Sequence, residues 1–266
     1  RNLFRGSGGK RMRNAWIVCR RELGSYFTSP IAWLLVTMYS LIFGYFFWNF
    51  LGQFVLRSME LQMLGQAAPT NINEEIIRPL LANASFLGIF FIPLISMRLF
   101  AEEKRNGTIE LLTTSPVRDM EVIVGKWFAA TILYGWLLLY SGISFCFLFI
   151  YGHPDWKPLA VAYLGLILQG AALLALGTFI STLTRNQIVA VAGTIALCLL
   201  LWVFAWVSSY NAAGWAGMLS YLSIITHYES FGRGVLSSKD GIYYLSVIFV
   251  GLFFTARSLE SLRWRS

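Results

Sequence analysis

Long apolar runs, six of them, decide what this sequence can fold into. A run of about 18 or more consecutive apolar residues reads as a membrane span. The runs extend from Ile31 to about Phe50, about Pro79 to Phe100, about Val122 to Tyr151, Leu159 to about Leu183, Ile188 to about Val207, and Asp240 to about Arg257. Only 13% of the residues are charged and 57% are hydrophobic. A soluble domain carries about 25% charged residues, so this chain lacks the means to cover a water-facing surface. The expected fold class is all-α: a polytopic membrane protein with six transmembrane helices.

The net charge is +8. The positive-inside rule explains it better than nucleic-acid binding, because the basic residues lie in short segments between spans. With both termini in the cytoplasm, all Lys and Arg except Arg57, Arg78, Lys157, Arg233 and Lys239 fall on or beside cytoplasmic segments. Acidic residues divide almost evenly between the two sides, as expected of a rule that concerns basic residues. No nucleic-acid partner is expected. The first apolar run is long and lacks a small-residue cleavage site, so it reads as a retained span. Residues 1–11 read as a flexible tail or an appended remnant, with the membrane domain running over 12–266.

Between Met12 and Phe27, the residues Met12, Trp16, Cys19, Leu23 and Tyr26 recur at helical spacing, while Arg13, Arg20 and Arg21 point elsewhere. This predicts a helix lying in the membrane interface, against lipid headgroups; a helix packed on its neighbours is the simpler reading. Ser29-Pro30 then caps the first span. A polar segment is expected from Gly52 to Arg78, and a kink at Pro93 in the second span. After the fifth span, Ala212 to Leu222 reads as a short helix. Thr226 and Glu229 have capping-box spacing at the start of a second short helix that stops at Gly232 and Gly234. Two short helices between spans predict a re-entrant hairpin. Asp240 is expected to cap the last span.

The spans contain almost no ionisable residues, which disfavours a secondary transporter, a charged-ring channel and a membrane enzyme. Gln169 is the most prominent polar residue within a span. Gly9-Lys10 and Gly125-Lys126 both lack the rest of a phosphate-binding loop, so energy for uphill transport has to come from another chain. Cys19, Cys146 and Cys198 have no metal or disulfide spacing and read as buried packing. No ligand cluster surrounds His153 or His227, the only histidines. Ala171 with Ala175, and Ala192 with Ala196, give spacings that permit close helix approach. Glu229 and Arg233 are spaced to pair on one helix.

The charged segment from Ala101 to Lys126, with Arg98 just before it, is the most informative, and its part from about 101 to 120 is the candidate coupling segment. Gly107 to Pro116 reads as a short bounded helix with Thr108 as its cap and Ile109, Leu111 and Leu112 as an apolar surface, either for docking or for packing on neighbouring spans. The string Glu103-Lys104-Arg105-Asn106-Gly107-Thr108-Ile109-Glu110-Leu111-Leu112, followed by Ser115-Pro116-Val117 and Gly125-Lys126, resembles the segment after the second span of ABC-2 type permeases. Arg20-Arg21-Glu22-Leu23 with Ser29-Pro30 resembles the start of that family. Residues Thr226 to Val235 resemble an external element of its gliding-motility-associated branch.

The resemblance implies the transmembrane permease subunit of an ABC transporter, not itself an enzyme, in the bacterial inner membrane. Two permease halves, identical or related, would pair above separate ABC ATPase subunits, and those subunits, not this chain, would bind ATP and Mg. Thr108, Ile109, Glu110, Leu111 and Leu112 match the family's ATPase-contacting coupling helix. Arg20, Arg21 and Glu22 would lie near the same surface, on the interfacial helix that also carries Trp16. Thr226, His227, Glu229 and Arg233 would belong to the external re-entrant element, the place for an extracytoplasmic partner subunit. The alternative is a membrane anchor or force-transmitting subunit of an ATPase-driven envelope complex that moves no cargo. The sparse charge in the spans favours lipid-like or amphipathic cargo.

Overall fold

The computed structural model describes residues 7–65, 71–108, 118–152, 154–210 and 214–263. Every regular element among them is helical. Helix α1 is Ser7–Thr28 and α2 is Pro30–Met63. A π-type turn over Asn73–Ile77 runs directly into α3, Arg78–Ser96, and α4 follows at Arg98–Asn106. The later helices are α5 (Asp119–Gly152), α6 (Trp156–Leu183), α7 (Gln187–Tyr210), α8 (Gly214–Leu222), α9 (Ile224–Gly232) and α10 (Ser238–Arg263). Six helical stretches are long and apolar enough to cross a membrane: α2, the π-type turn with α3 and α4, α5, α6, α7 and α10.

Helix α6 is the centre of the bundle, and its small residues put it there. Without a water-driven hydrophobic force between spans, close backbone approach and van der Waals contact hold helices together. A Cβ on Gly170 would lie 2.1 Å from the Tyr134 ring of α5, and one on Gly177 would lie 2.4 Å from Ser96 Oγ of α3. Gly165 faces the Phe231 side chain of α9, and Gly251 of α10 rests on the Ala175 backbone. Ala171 and Ala175 are buried, so this pair serves packing within the chain, whereas Ala192 and Ala196 on α7 face outward. Gln169 is buried and accepts from Ser85 Oγ at 2.8 Å, so its one strong polar group is satisfied inside the bundle.

The outer faces carry Trp33, Met38 and Trp48 on α2, Leu200 and Trp206 on α7, and Phe249 and Phe253 on α10, all exposed. An apolar surface of this extent is stable against hydrocarbon and not against water. Cys146 belongs to such a stripe on α5 and is exposed, contrary to the burial expected of it; Cys19 and Cys198 are buried.

Three helix boundaries differ from the sequence expectation. Helix α2 does not stop near Phe50 but continues to Met63. Leu56 to Met63 are mostly good helix formers, and the stop comes at Gly65, in the left-handed conformation at φ 68°. At about 51 Å, a 34-residue helix outreaches a hydrocarbon core of about 30 Å. The second span is interrupted at Met97, between α3 and α4, with Pro93 inside α3. There Ser181 Oγ of α6 accepts from Phe100 N–H and Ala101 N–H at 3.1 and 3.0 Å and donates to Met97 C=O at 3.1 Å. A hydroxyl has one donor and two acceptor sites, and a side chain inserted beside a helix ladder is a recognised cause of a break. Third, Asp240 lies inside the first turn of α10, which begins at Ser238.

Candidate functional site

At one end of the bundle, α1, α4 and α5 meet on a buried ammonium group. Helix α5 crosses α1 at Gly125, where a Cβ would lie 2.7 Å from Ala15 C=O and 2.9 Å from Val18 Cβ. The residue after this crossing, Lys126, is 1% exposed. Its Nζ donates to Glu22 Oε1 of α1 at 2.9 Å and lies 2.8 Å from Glu103 Oε1 of α4. It also lies 5.4 Å from the Phe100 ring centroid, within cation–π range. Arg21 closes the cluster from outside, 3.2 Å from Glu22 and 3.9 Å from Glu103. Two carboxylates and two cations thus compensate one another, the condition for keeping an ammonium ion out of water.

More contacts converge on α4. Arg98 Nε donates to Glu102 Oε2 at 2.8 Å and its Nη1 to Ser29 Oγ at 3.2 Å, which links α4 to the cap of α2. Tyr26 of α1 donates to Ile95 C=O at 3.2 Å. Lys104 Nζ donates to Thr182 C=O of α6, and Thr182 Oγ1 donates to Ser258 Oγ of α10 at 2.9 Å. Asn14 of α1 donates to Glu121 of α5 at 3.1 Å. Helix α4 ends at Gly107, in the left-handed conformation at φ 72°.

The sequence-derived candidates fall on this end unevenly. Thr108 Oγ1 turns back to donate to Glu103 C=O at 3.4 Å. Ile109, Glu110, Leu111 and Leu112 lie outside the described residues. Arg21 and Glu22 belong to the cluster, while Trp16 and Arg20 face outward. The predicted apolar face of α1 divides: Cys19 and Tyr26 are buried, whereas Met12 and Trp16 are exposed. The packed stripe is Ala15, Val18, Cys19, Glu22 and Tyr26, because the small residues and not the large ones fit the crossing with α5.

The expectation of almost no ionisable residue in the spans overlooks Lys126. The signal was present as a lone basic residue inside an apolar run. Its partners are far away in sequence, which hid the arrangement.

At the other end, α8 and α9 meet at Ser223. The capping box predicted at Thr226 does not form. Helix α9 starts two residues earlier, at Ile224, with Ser223 as its extended N-cap residue and no side-chain cap bond. Burial of Ile224, His227, Tyr228 and Phe231 on one face, against α6 among others, places the start there. Thr226 is on the exposed face. Glu229 and Arg233 pair at 3.5 Å and both are largely exposed. The helix stops at its glycines as expected: Gly234, at φ 78°, lies tightly against Pro158. His227 is buried, with Nδ1 2.7 Å from Asp240 Oδ1 and Nε2 2.9 Å from Tyr221 C=O. Asp240 is therefore a partner for His227, not the expected helix cap.

No curated protein matches the chain. A protein-family comparison does match, over residues 16–256, to the family described as ABC-2 family transporter protein. That range takes in α1 from Trp16 onward, the Lys126 cluster, the α8–α9 pair and the six membrane-competent stretches, the last of them as far as Ala256. The chain belongs to the ABC-2 transporter family and is a multi-pass permease subunit of an ABC transporter.

Proposed function

We propose that this permease converts ATP hydrolysis by separate ABC ATPase subunits into movement of cargo across the bacterial inner membrane, with both of its termini in the cytoplasm. ATP and Mg act in those subunits. The segment from Thr108 through Ile109, Glu110, Leu111 and Leu112 contacts the ATPase, and α4 and α5 lead into and out of it. The observation that carries this reading is Lys126, buried between Glu22 of α1 and Glu103 of α4. A displacement of the segment pulls on α4 and α5 together. Because a buried ammonium ion cannot shed its carboxylates without a cost of several kcal/mol, the three helices move as one body. Arg98 and Lys104 extend that body to α2 and α6.

Trp16 and Arg20, exposed on α1 beside this cluster, suit contact with lipid headgroups. At the opposite end, α8 and α9 form the re-entrant hairpin, with Thr226, His227, Glu229 and Arg233 on its second helix. A second permease half, a copy or a related chain, completes the transporter. The cargo is lipid-like or amphipathic, because the outer faces of the spans are apolar and the interior has few polar groups.

The test is reconstitution of the permease and its ATPase into vesicles with matched lipid-like and polar cargo. ATP-dependent movement of the lipid-like cargo is the expected result. Hydrolysis without movement of either cargo would refute transport and favour a force-transmitting anchor.

A further inference from the structure

We propose that His227 is a proton-dependent clasp that holds the α8–α9 hairpin on α10, closed when the ring is an imidazolium and released when it is neutral. The proposal rests on hydrogen-bond stoichiometry and does not depend on the transport reading. Both ring nitrogens meet oxygen acceptors. Nε2 is 2.9 Å from Tyr221 C=O, a group with no proton to give. Nδ1 is 2.7 Å from Asp240 Oδ1. An ionised Asp240 likewise has no proton to give. A neutral imidazole has one N–H and one lone pair. It satisfies one of the two contacts and sets its lone pair against oxygen at the other. Only the imidazolium donates to both.

The surroundings suit a cation. The ring stacks on Tyr243 with centroids 3.8 Å apart and planes at 19°, and Tyr221 meets it edge-on at 5.1 Å. An aromatic face attracts a positive ring. Tyr221 C=O is also one of the last carbonyls of α8, where a cation is favoured by the helix dipole and by the lack of intrahelical partners.

The contacts on either side of Ser223 make this a clasp and not a local detail. Tyr243 Oη donates to Leu222 C=O at 2.8 Å, and Tyr244 Oη donates to Ile224 C=O at 2.9 Å. With His227, three donors grip the carbonyls of residues 221, 222 and 224. Two come from α10, and the third is tied to α10 through Asp240. Loss of the ring proton removes either the bond to Tyr221 or the bond to Asp240, and leaves the hairpin held on α10 by the two tyrosine bonds.

The groups that face the ring are Asp240, Tyr243 and Tyr244 of α10 and Tyr221 of α8. Glu229 and Arg233 of α9 are 59% exposed and pair with each other. On the elements packed elsewhere on α9, Tyr134 of α5 and Tyr163 of α6 lie within electrostatic reach of Tyr228. Tyr221 is 61% exposed, so the ring is covered on that side by a surface residue.

The experiment is a pulsed electron-electron distance measurement between spin labels at Met218→Cys on α8 and Lys239→Cys on α10. Both positions are exposed. The native thiols are removed as Cys19→Ala, Cys146→Ser and Cys198→Ala, and the protein is held in nanodiscs of uncharged lipid. Histidine changes charge between about pH 5 and 8, so spectra are compared at about pH 5.5 and about pH 8.5. One narrow distance is expected at the lower pH, with a second, longer population at the higher pH. His227→Gln is expected to show both populations at both pH values, and Asp240→Asn to show the longer one already at the lower pH. Identical distributions at the two pH values without these substitutions would overturn the proposal, as would a pH-dependent shift that survives His227→Gln. Neither ATPase nor cargo enters the measurement, so its failure leaves the transport reading untouched.

Discussion

Lys126 and Glu103 stand 2.8 Å apart across the contact between α4 and α5, with the lysine ammonium group fully enclosed. Those two helices flank the segment proposed to contact the ATPase. The ion pair therefore ties the entry of that segment to its exit, and Glu22 brings in α1.

Replacing Lys126 with Met strands two carboxylates in a buried site. Breaking a buried pair from one side costs about 3–5 kcal/mol, so Lys126→Met is expected to unfold at a markedly lower temperature in detergent. Adding Glu22→Gln and Glu103→Gln to the same chain removes the stranded charges and is expected to recover most of that loss. Thermal unfolding of the single and triple variants checks both statements. Equal stability of the two would contradict the assignment of the cost to unpaired charge.

Ser181→Ala removes the hydroxyl that serves Phe100 N–H, Ala101 N–H and Met97 C=O. Leaving a buried polar group without its partner costs about 1–3 kcal/mol. The expected result is a loss of that size, against almost none for Ser261→Ala, whose hydroxyl is exposed. Unfolding in detergent is again the readout.

The packing of α6 predicts a contrast between two glycines. Gly170→Ala drives a methyl group into the Tyr134 ring, whereas Gly135→Ala meets nothing within 4 Å. Overpacking costs about 1–3 kcal/mol, and a substitution into open space stays within about 0.5 kcal/mol. Folded yield and melting temperature should separate the pair, with Gly170→Ala the less stable.

Cys19 reports on whether α1 stays on α5. Its thiol is buried, and burial followed by the nearby Glu22 charge raises its pKa, which lowers the thiolate fraction that reacts. Maleimide labelling of Cys19 is expected to be slow in the native chain. Gly125→Ala pushes against Ala15 and Val18 and is expected to speed it several-fold. Mass spectrometry of the labelled peptide gives the rate. Unchanged protection would mean that the Gly125 crossing does not hold α1.

Much of this architecture was legible in the sequence, for physical reasons that also mark where legibility stops. Hydrocarbon thickness sets the length of an apolar run, so the six spans could be read directly. Ser29-Pro30 could be read because a cap is local chemistry, and Ser29 Oγ does accept from Ile31 N–H at 3.4 Å. The break at Met97 could not, because it is made by Ser181 from another helix. The start of α9 lies at Ile224 and not at Thr226 because burial of Ile224 outweighed a local cap. Lys126, Glu22 and Glu103 were each visible, all three within the strings that carry the family resemblance. Their meeting depends on how α1, α4 and α5 cross, and no spacing along the chain encodes that.

The most direct test of the central claim is co-purification from native membranes in mild detergent, comparing the native chain with Glu110→Arg plus Leu111→Asp. An ABC ATPase subunit should accompany the native chain and be lost from the variant, while the variant inserts and folds as before. If no ATPase accompanies the native chain, or if the variant retains it undiminished, residues 108–112 do not couple this permease to an ATPase.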